Sequence, residues 1–255
     1  MNKKAVQPGV SRKQRGIYLL PNLLTTAALF AGFYAIIAAM KGYYEAGSIA
    51  IFVAMIADGL DGRVARLTHT QSNFGAQYDS LSDMSAFGTA PAILLFSWSL
   101  HAWGKVGWLL AFLFTAATAL RLARFNTQQI DKKHFQGLPS PAAAGVIASG
   151  VWLMDGFGLN PLSLLIPSSI LAFLVASLMV STIRYTSFKD IDFKGRVPFF
   201  TIVVTVVVLA AIALNPPEML FLLFFGYMLS GPIMTLITIR KIRKQRRLAF
   251  GKIRS

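Results

Sequence analysis

Eight apolar stretches carrying few charges follow one another along the chain, at about 17–39, 47–66, 77–99, 102–125, 139–155, 161–183, 198–215 and 217–239. Runs of this kind approach the ~20 apolar residues that carry a helix across ~30 Å of hydrocarbon. The pattern therefore predicts an all-α membrane protein with about eight transmembrane helices. The fifth stretch is the short one: its clean part, PAAAGVIASGVWLM, is 14 residues long, a length that also suits a re-entrant or buried helix. No soluble domain, linker, low-complexity tract or internal repeat interrupts the series. Residues 1–255 thus read as a single integral-membrane catalytic domain with basic tails at about 1–16 and 240–255.

Composition agrees with this, since 55% of residues are hydrophobic and the mean hydropathy is +0.58. The net charge of +15 would suggest a polyanionic partner in a soluble protein. Here the charges sit between the spans, so no nucleic acid is expected. With eight crossings and a cytoplasmic N-terminus, 23 of the 25 Lys and Arg residues fall on the cytoplasmic side, and only Lys41 and Lys105 fall outside. If the fifth stretch failed to cross, the basic segment from Arg184 to Arg196 and the basic tail would move outside, against the positive-inside tendency. The expectation is an integral protein of a prokaryotic cytoplasmic membrane with both termini inside. The apolar stretch behind the basic N-terminus is full length and lacks a convincing cleavage site, so it reads as a first span and not as a signal peptide. The absence of cysteine excludes a disulfide framework, a thiolate metal site and a cysteine nucleophile.

Against this background Asp58, Asp61, Asp79 and Asp83 stand out. The first two are three apart near the end of the second stretch and the last two are four apart near the start of the third, so each pair shares a helix face. The connection, LTHTQSNFGA, makes the two helices antiparallel neighbours and lets the pairs converge at one depth. A carboxylate in the bilayer costs on the order of 2.5–3.5 kcal/mol, and four together also repel one another. Protonation, pairing with basic residues or divalent cations could offset this. Arg63 and Arg66 alone cannot neutralise four charges, and an all-oxygen donor set suits Mg²⁺ or Mn²⁺ best. Gly59 and Gly62 cost up to about 1 kcal/mol each in a helix, but leave a groove beside the carboxylates that Ala65 extends. Arg66 can fork onto a phosphate oxygen there. Together these residues look like a nucleotide-phosphate cradle.

The same residues resemble the signature of the CDP-alcohol phosphotransferases, D-x-x-D-G-x-x-A-R followed after eight residues by G-x-x-x-D-x-x-x-D. Asp58, Asp61, Gly62, Ala65, Arg66, Gly75, Asp79 and Asp83 fill every position at the required spacing. Within that family the chain is similar to the integral-membrane phosphatidylserine synthases, through PNLLTTAALFAGFYAI, SDMSAFGTAPA, RLARFN, FQGLPSPAAAG and MVSTIRYTSFKDIDFKG. The resemblance implies a six-helix core around two divalent ions, Mg²⁺ or Mn²⁺, held by Asp58, Asp61, Asp79 and Asp83. It also implies a CDP-diacylglycerol donor whose CDP and phosphates meet Gly62, Ala65, Arg66 and Gly75, L-serine as acceptor, and a homodimer.

In that setting Asp83 is the expected general base for the serine hydroxyl. Arg121, Arg124, Asn126, Ser140, Arg184 and Lys189 are the candidate groups for the acceptor or the lipid phosphate, because they gather at the cytoplasmic ends of the fourth to sixth stretches. Direct displacement of CMP is favoured over a covalent intermediate, since there is no cysteine and His69, His101 and His134 form no paired arrangement. Two readings compete. Another acceptor alcohol (glycerol phosphate, inositol phosphate or choline) would use the same donor motif with a different acceptor pocket. A cation- or proton-coupled transporter would spread its carboxylates along a pathway, whereas these four lie together near one side.

Overall fold

The computed structural model describes residues 12–127, 135–185 and 199–253. Its helices follow the apolar stretches: α1 (Arg12–Met40), α2 (Tyr44–Leu67), α3 (Asn73–Asp83), α4 (Ala90–Trp98), α5 (Lys105–Thr127), α6 (Ser140–Gly156), α7 (Leu165–Val180), α8 (Phe199–Leu214) and α9 (Pro216–Ile253). The architecture is all-α, with one two-residue ribbon described below. α3 and α4 are the halves of one passage, so the described helices make eight passages in the order the hydropathy predicts. Leu19–Met40, Lys105–Thr127 and Pro216–Lys241 are long and apolar enough to cross a membrane, while Leu165–Val180 and Val203–Leu214 are apolar but shorter.

The short fifth stretch is explained by its position. α6 is buried at Ser140 and without interruption from Ala142 to Val151, so it meets protein where an outer helix meets lipid. It also runs the length of the bundle. Ser140 sits beside Arg121 near the end of α5, while Asp155 interacts electrostatically with Tyr44 at the start of α2. α7 returns from the far end, where the Pro161 carbonyl accepts from Ser99 Oγ at 3.0 Å, to the near end, where Leu178 O accepts from Leu138 N. Alanines of α1 (Ala28, Ala31, Ala35) and of α6 (Ala142, Ala143, Ala144, Ala148) line much of the shared core. Small residues let helix backbones approach closely where dispersion, and not the hydrophobic effect, drives association.

Two departures from the expected boundaries have local causes. α3 starts at Asn73, earlier than the apolar pattern suggests, because Ser72 caps it: its Oγ accepts from Gly75 N at 3.0 Å. The third passage is then interrupted by a π-helical turn, Met84–Thr89, directly after Asp83. Such turns insert one residue into the helical register and recur at functional sites. This one is wedged between neighbours: a Cβ on Gly32 of α1 would lie 2.7 Å from Ala86 Cα, and one on Gly88 would lie 3.1 Å from Thr118 of α5.

At the end of the bundle that carries the aspartates, β1 (Phe135–Gln136) pairs antiparallel with β2 (Arg184–Tyr185). Tyr185 anchors the ribbon to α9. Its hydroxyl donates to Met228 O at 3.0 Å, the carbonyl that Pro232, four residues on, cannot serve because proline has no N–H. Gly231 makes room for the ring, since a Cβ there would stand 2.4 Å from Tyr185 Cζ. α9 itself has 38 residues, about 57 Å at 1.5 Å per residue. It therefore continues well past the apolar part that ends at Lys241.

Candidate active site

Asp58 and Asp61 project from the last turns of α2, and Asp79 and Asp83 from the second half of α3. α2 and α3 both pack against α1, which brings the pairs together: Thr25 of α1 bonds Asp61, its carbonyl accepts from Ser82, and Thr26 meets Tyr78. Carboxylate oxygens of Asp58, Asp61 and Asp79 all lie within 4.8 Å of one another. Oxygens on opposite sides of an octahedral Mg²⁺ are about 4.2 Å apart, so one divalent ion could reach all three carboxylates. Asp83 lies against Asp58, with Asp79 and Asp61 in electrostatic reach. Four acidic groups in one cluster, with oxygen as the donor atom throughout, fit a hard divalent cation.

The small residues of the signature divide into two kinds. Nothing lies within 4 Å of the Cβ position at Gly59 or at Gly62, so the face of α2 beside the carboxylates is open as the sequence suggests. Ala65 is half-buried one turn beyond Asp61, and Arg63 and Arg66 are exposed. Gly75, by contrast, sits in the capped first turn of α3, where a Cβ would meet Ser72 Oγ at 3.1 Å and Asn22 Oδ1 at 3.5 Å.

The acceptor candidates separate more sharply. Arg121 Nη1 donates to Ser140 Oγ at 2.9 Å, and the guanidinium is in electrostatic reach of Asp83 and Tyr227. Its Nε is buried without a hydrogen-bond partner. An unmet buried donor costs about 1–3 kcal/mol, which makes this edge of Arg121 a ready partner for an anionic acceptor. Arg124 Nη1 donates at 3.1 Å to Val180 O, one of the carbonyls left over in the last turn of α7. Asn126 Nδ2 donates to Ser80 Oγ at 3.0 Å, tying α5 to α3 just beside Asp79. Arg184 is exposed on β2. Lys189 lies outside the described residues, as do His134 and the basic residues at Lys132 and Lys133.

Two further residues enter the site unheralded. Thr25 of α1 donates to Asp61 Oδ2 at 2.6 Å, and Tyr227 of α9 stands beside Arg121. The only hint of Thr25 is a hydroxyl pair inside an otherwise apolar span, and of Tyr227 a phenol between glycine and proline breaks in another.

A protein-family model for CDP-alcohol phosphatidyltransferase matches residues 18–183. The chain belongs to the CDP-alcohol phosphatidyltransferase family. The matched region of this phosphatidyltransferase takes in the whole quartet, Arg121, Arg124, Asn126 and Ser140. It covers six helical passages, from α1 to α7 with α3 and α4 as one, and leaves α8 and α9 outside. A CDP-diacylglycerol–serine O-phosphatidyltransferase of Helicobacter pylori (strain ATCC 700392 / 26695) is 36% identical over 231 residues, covering 89% of this chain and 94% of its own length. One of Mycobacterium tuberculosis (strain ATCC 25618 / H37Rv) is 32% identical over 257 residues, covering 94% of this chain and 85% of its own. An archaetidylserine synthase of Methanothermobacter thermautotrophicus is 35% identical over 176 residues, covering 68% of this chain and 72% of its own.

Proposed function

We infer that this phosphatidyltransferase is a phosphatidylserine synthase, moving a phosphatidyl group from CDP-diacylglycerol to the hydroxyl of L-serine with release of CMP. The carrying observation is the buried guanidinium of Arg121, with one unmet donor, held beside Asp83 at the edge of the aspartate cluster. A serine molecule needs such a pair: a cation for its carboxylate and a base for its hydroxyl. Relatives named for diacyl and for archaetidyl products share serine in their names, so the acceptor is the constant and the lipid half varies.

In this reading Asp58, Asp61, Asp79 and Asp83 would hold two Mg²⁺ or Mn²⁺ ions, which when bound neutralise charge on the donor's diphosphate. Gly59 and Gly62 leave the α2 backbone accessible to that diphosphate, and Ala65 and Arg66 continue the groove, with Gly75 shaping the α3 side. Arg121 and Ser140 orient serine, while Asn126 and Arg184 complete the cytoplasmic rim. Asp83 accepts the hydroxyl proton as the serine oxygen forms its bond to the lipid-bearing phosphorus. The bond from that phosphorus to the CMP oxygen breaks, and CMP departs. The place of Asp83 at the edge of the cluster, against Asp58 and in electrostatic reach of Arg121, supports its role as base.

The protein works as a homodimer in a prokaryotic cytoplasmic membrane, with the site facing the cytoplasm. The partition of Lys and Arg supports that orientation. Purified protein given CDP-diacylglycerol and a panel of alcohols should release CMP with serine at least tenfold faster than with glycerol 3-phosphate, inositol phosphate or choline. Preference for any of these would replace the acceptor. A cysteine at Gly158 should react with an impermeant thiol reagent from outside intact cells, and one at Lys132 only after permeabilisation; the reverse pattern would invert the orientation.

A further inference from the structure

We propose that Thr25 is a positioning residue for the divalent-ion site, holding Asp61 in the orientation that binds metal. The proposal rests on the metal reading given above. Asp61 is the most buried member of the quartet, 5% exposed, and Thr25 is 3% exposed. The Thr25 hydroxyl has one hydrogen and faces two acceptors, Asp61 Oδ2 at 2.6 Å and Pro21 O at 3.1 Å. The shorter, charge-assisted bond to the carboxylate prevails. It pins Oδ2, and so decides which way the other oxygen of Asp61 faces.

Thr25 is itself held. Its backbone carbonyl accepts from Ser82 Oγ at 3.1 Å, and Ser82 is buried immediately before Asp83. The next residue, Thr26, meets Tyr78 Oη at 2.9 Å, immediately before Asp79. One turn of α1 therefore touches a metal-side aspartate of α2 and the neighbours of both aspartates on α3. α1 contributes no carboxylate of its own. Its part is to fix the relative setting of the two helices that do, and the hydroxyl of Thr25 links it directly to a carboxylate.

A partner that orients a metal-ligating carboxylate typically changes metal affinity by 10–100-fold when removed. The test uses Thr25→Ala and Thr25→Ser in the full-length protein purified in detergent, with Mn²⁺ binding followed by electron paramagnetic resonance. Both variants lose the γ-methyl and they differ only in the hydroxyl, so any packing defect is common to them. Thr25→Ser should bind Mn²⁺ within about threefold of wild type, and Thr25→Ala about tenfold or more weakly. CMP release by Thr25→Ala should recover as Mn²⁺ is raised. Equal Mn²⁺ affinity in the two variants would overturn the proposal. Asp61→Ala is the reference arm: if it and the wild type bind Mn²⁺ alike, the metal reading itself fails, whatever Thr25 does.

Discussion

At the start of α2, a Cβ added to Gly47 would meet Leu94 Cδ1 at 3.1 Å and Ala35 O at 3.3 Å, whereas near the end of the same helix Gly59 and Gly62 have nothing within 4 Å. The first half of α2 is packing surface, carrying buried Gly47, Ser48, Ala50, Ile51 and Ala54 against its neighbours. The second half has open glycines, exposed arginines and two of the four aspartates. One residue type serves both halves because glycine removes a side chain, and what becomes of the vacated space differs: another helix fills it in one half, and in the other it stays open, where we propose that the donor binds. Free energy gained in the crowded half holds the bundle together. In the open half, stability is given up through glycines in a helix and gathered carboxylates, as is common where a fold keeps a reactive site.

Four experiments can break or sharpen that contrast. Chelating divalent ions with EDTA should abolish CMP release without unfolding the protein, and added Mg²⁺ or Mn²⁺ should restore it; full activity in EDTA would remove the two-ion account. Asp83→Asn should lower turnover by about 100-fold or more, the usual scale for a general base. Its melting temperature should hold or rise, because one charge leaves a crowded acidic cluster. Near-normal turnover would take the base role away from Asp83.

The glycines supply the smaller effects, with opposite signs. Gly32→Ala sets a Cβ 2.7 Å from the Ala86 backbone and should cost about 1–3 kcal/mol, the usual range for overpacking. A melting temperature equal to wild type would show that the π turn yields more easily than its packing suggests. Gly59→Ala should stabilise the protein by up to about 1 kcal/mol, since alanine favours a helix and meets no neighbour. The same substitution should raise the KM for CDP-diacylglycerol if the groove receives the donor. Destabilisation at Gly59 would mean that its space is packing space after all, and the contrast along α2 would dissolve.

Hydropathy and residue spacing were enough to determine the all-α membrane class, the eight passages and the aspartate quartet. Each of these depends on a local period: apolar runs on length, and carboxylates on the three- and four-residue repeat that puts them on one helix face. Contacts between residues far apart in sequence carry no such period. Thr25 stands 36 positions from Asp61, and nothing around it marks it from the many hydroxyls in apolar helices. Tyr185 finds the carbonyl freed by Pro232 across 43 positions, measured to Met228. Among the basic residues at the near end, composition ranks Arg121 and Arg124 alike. Packing separates them, because Arg124 is spent on the end of α7 while Arg121 keeps a buried donor beside Asp83. The π turn after Asp83 was equally hidden, since it arises where α1 and α5 press on one passage from two sides. Chemistry with a short repeat could be read along the chain; which of several like residues faces the site was settled only when the helices packed, because that choice depends on what each one meets.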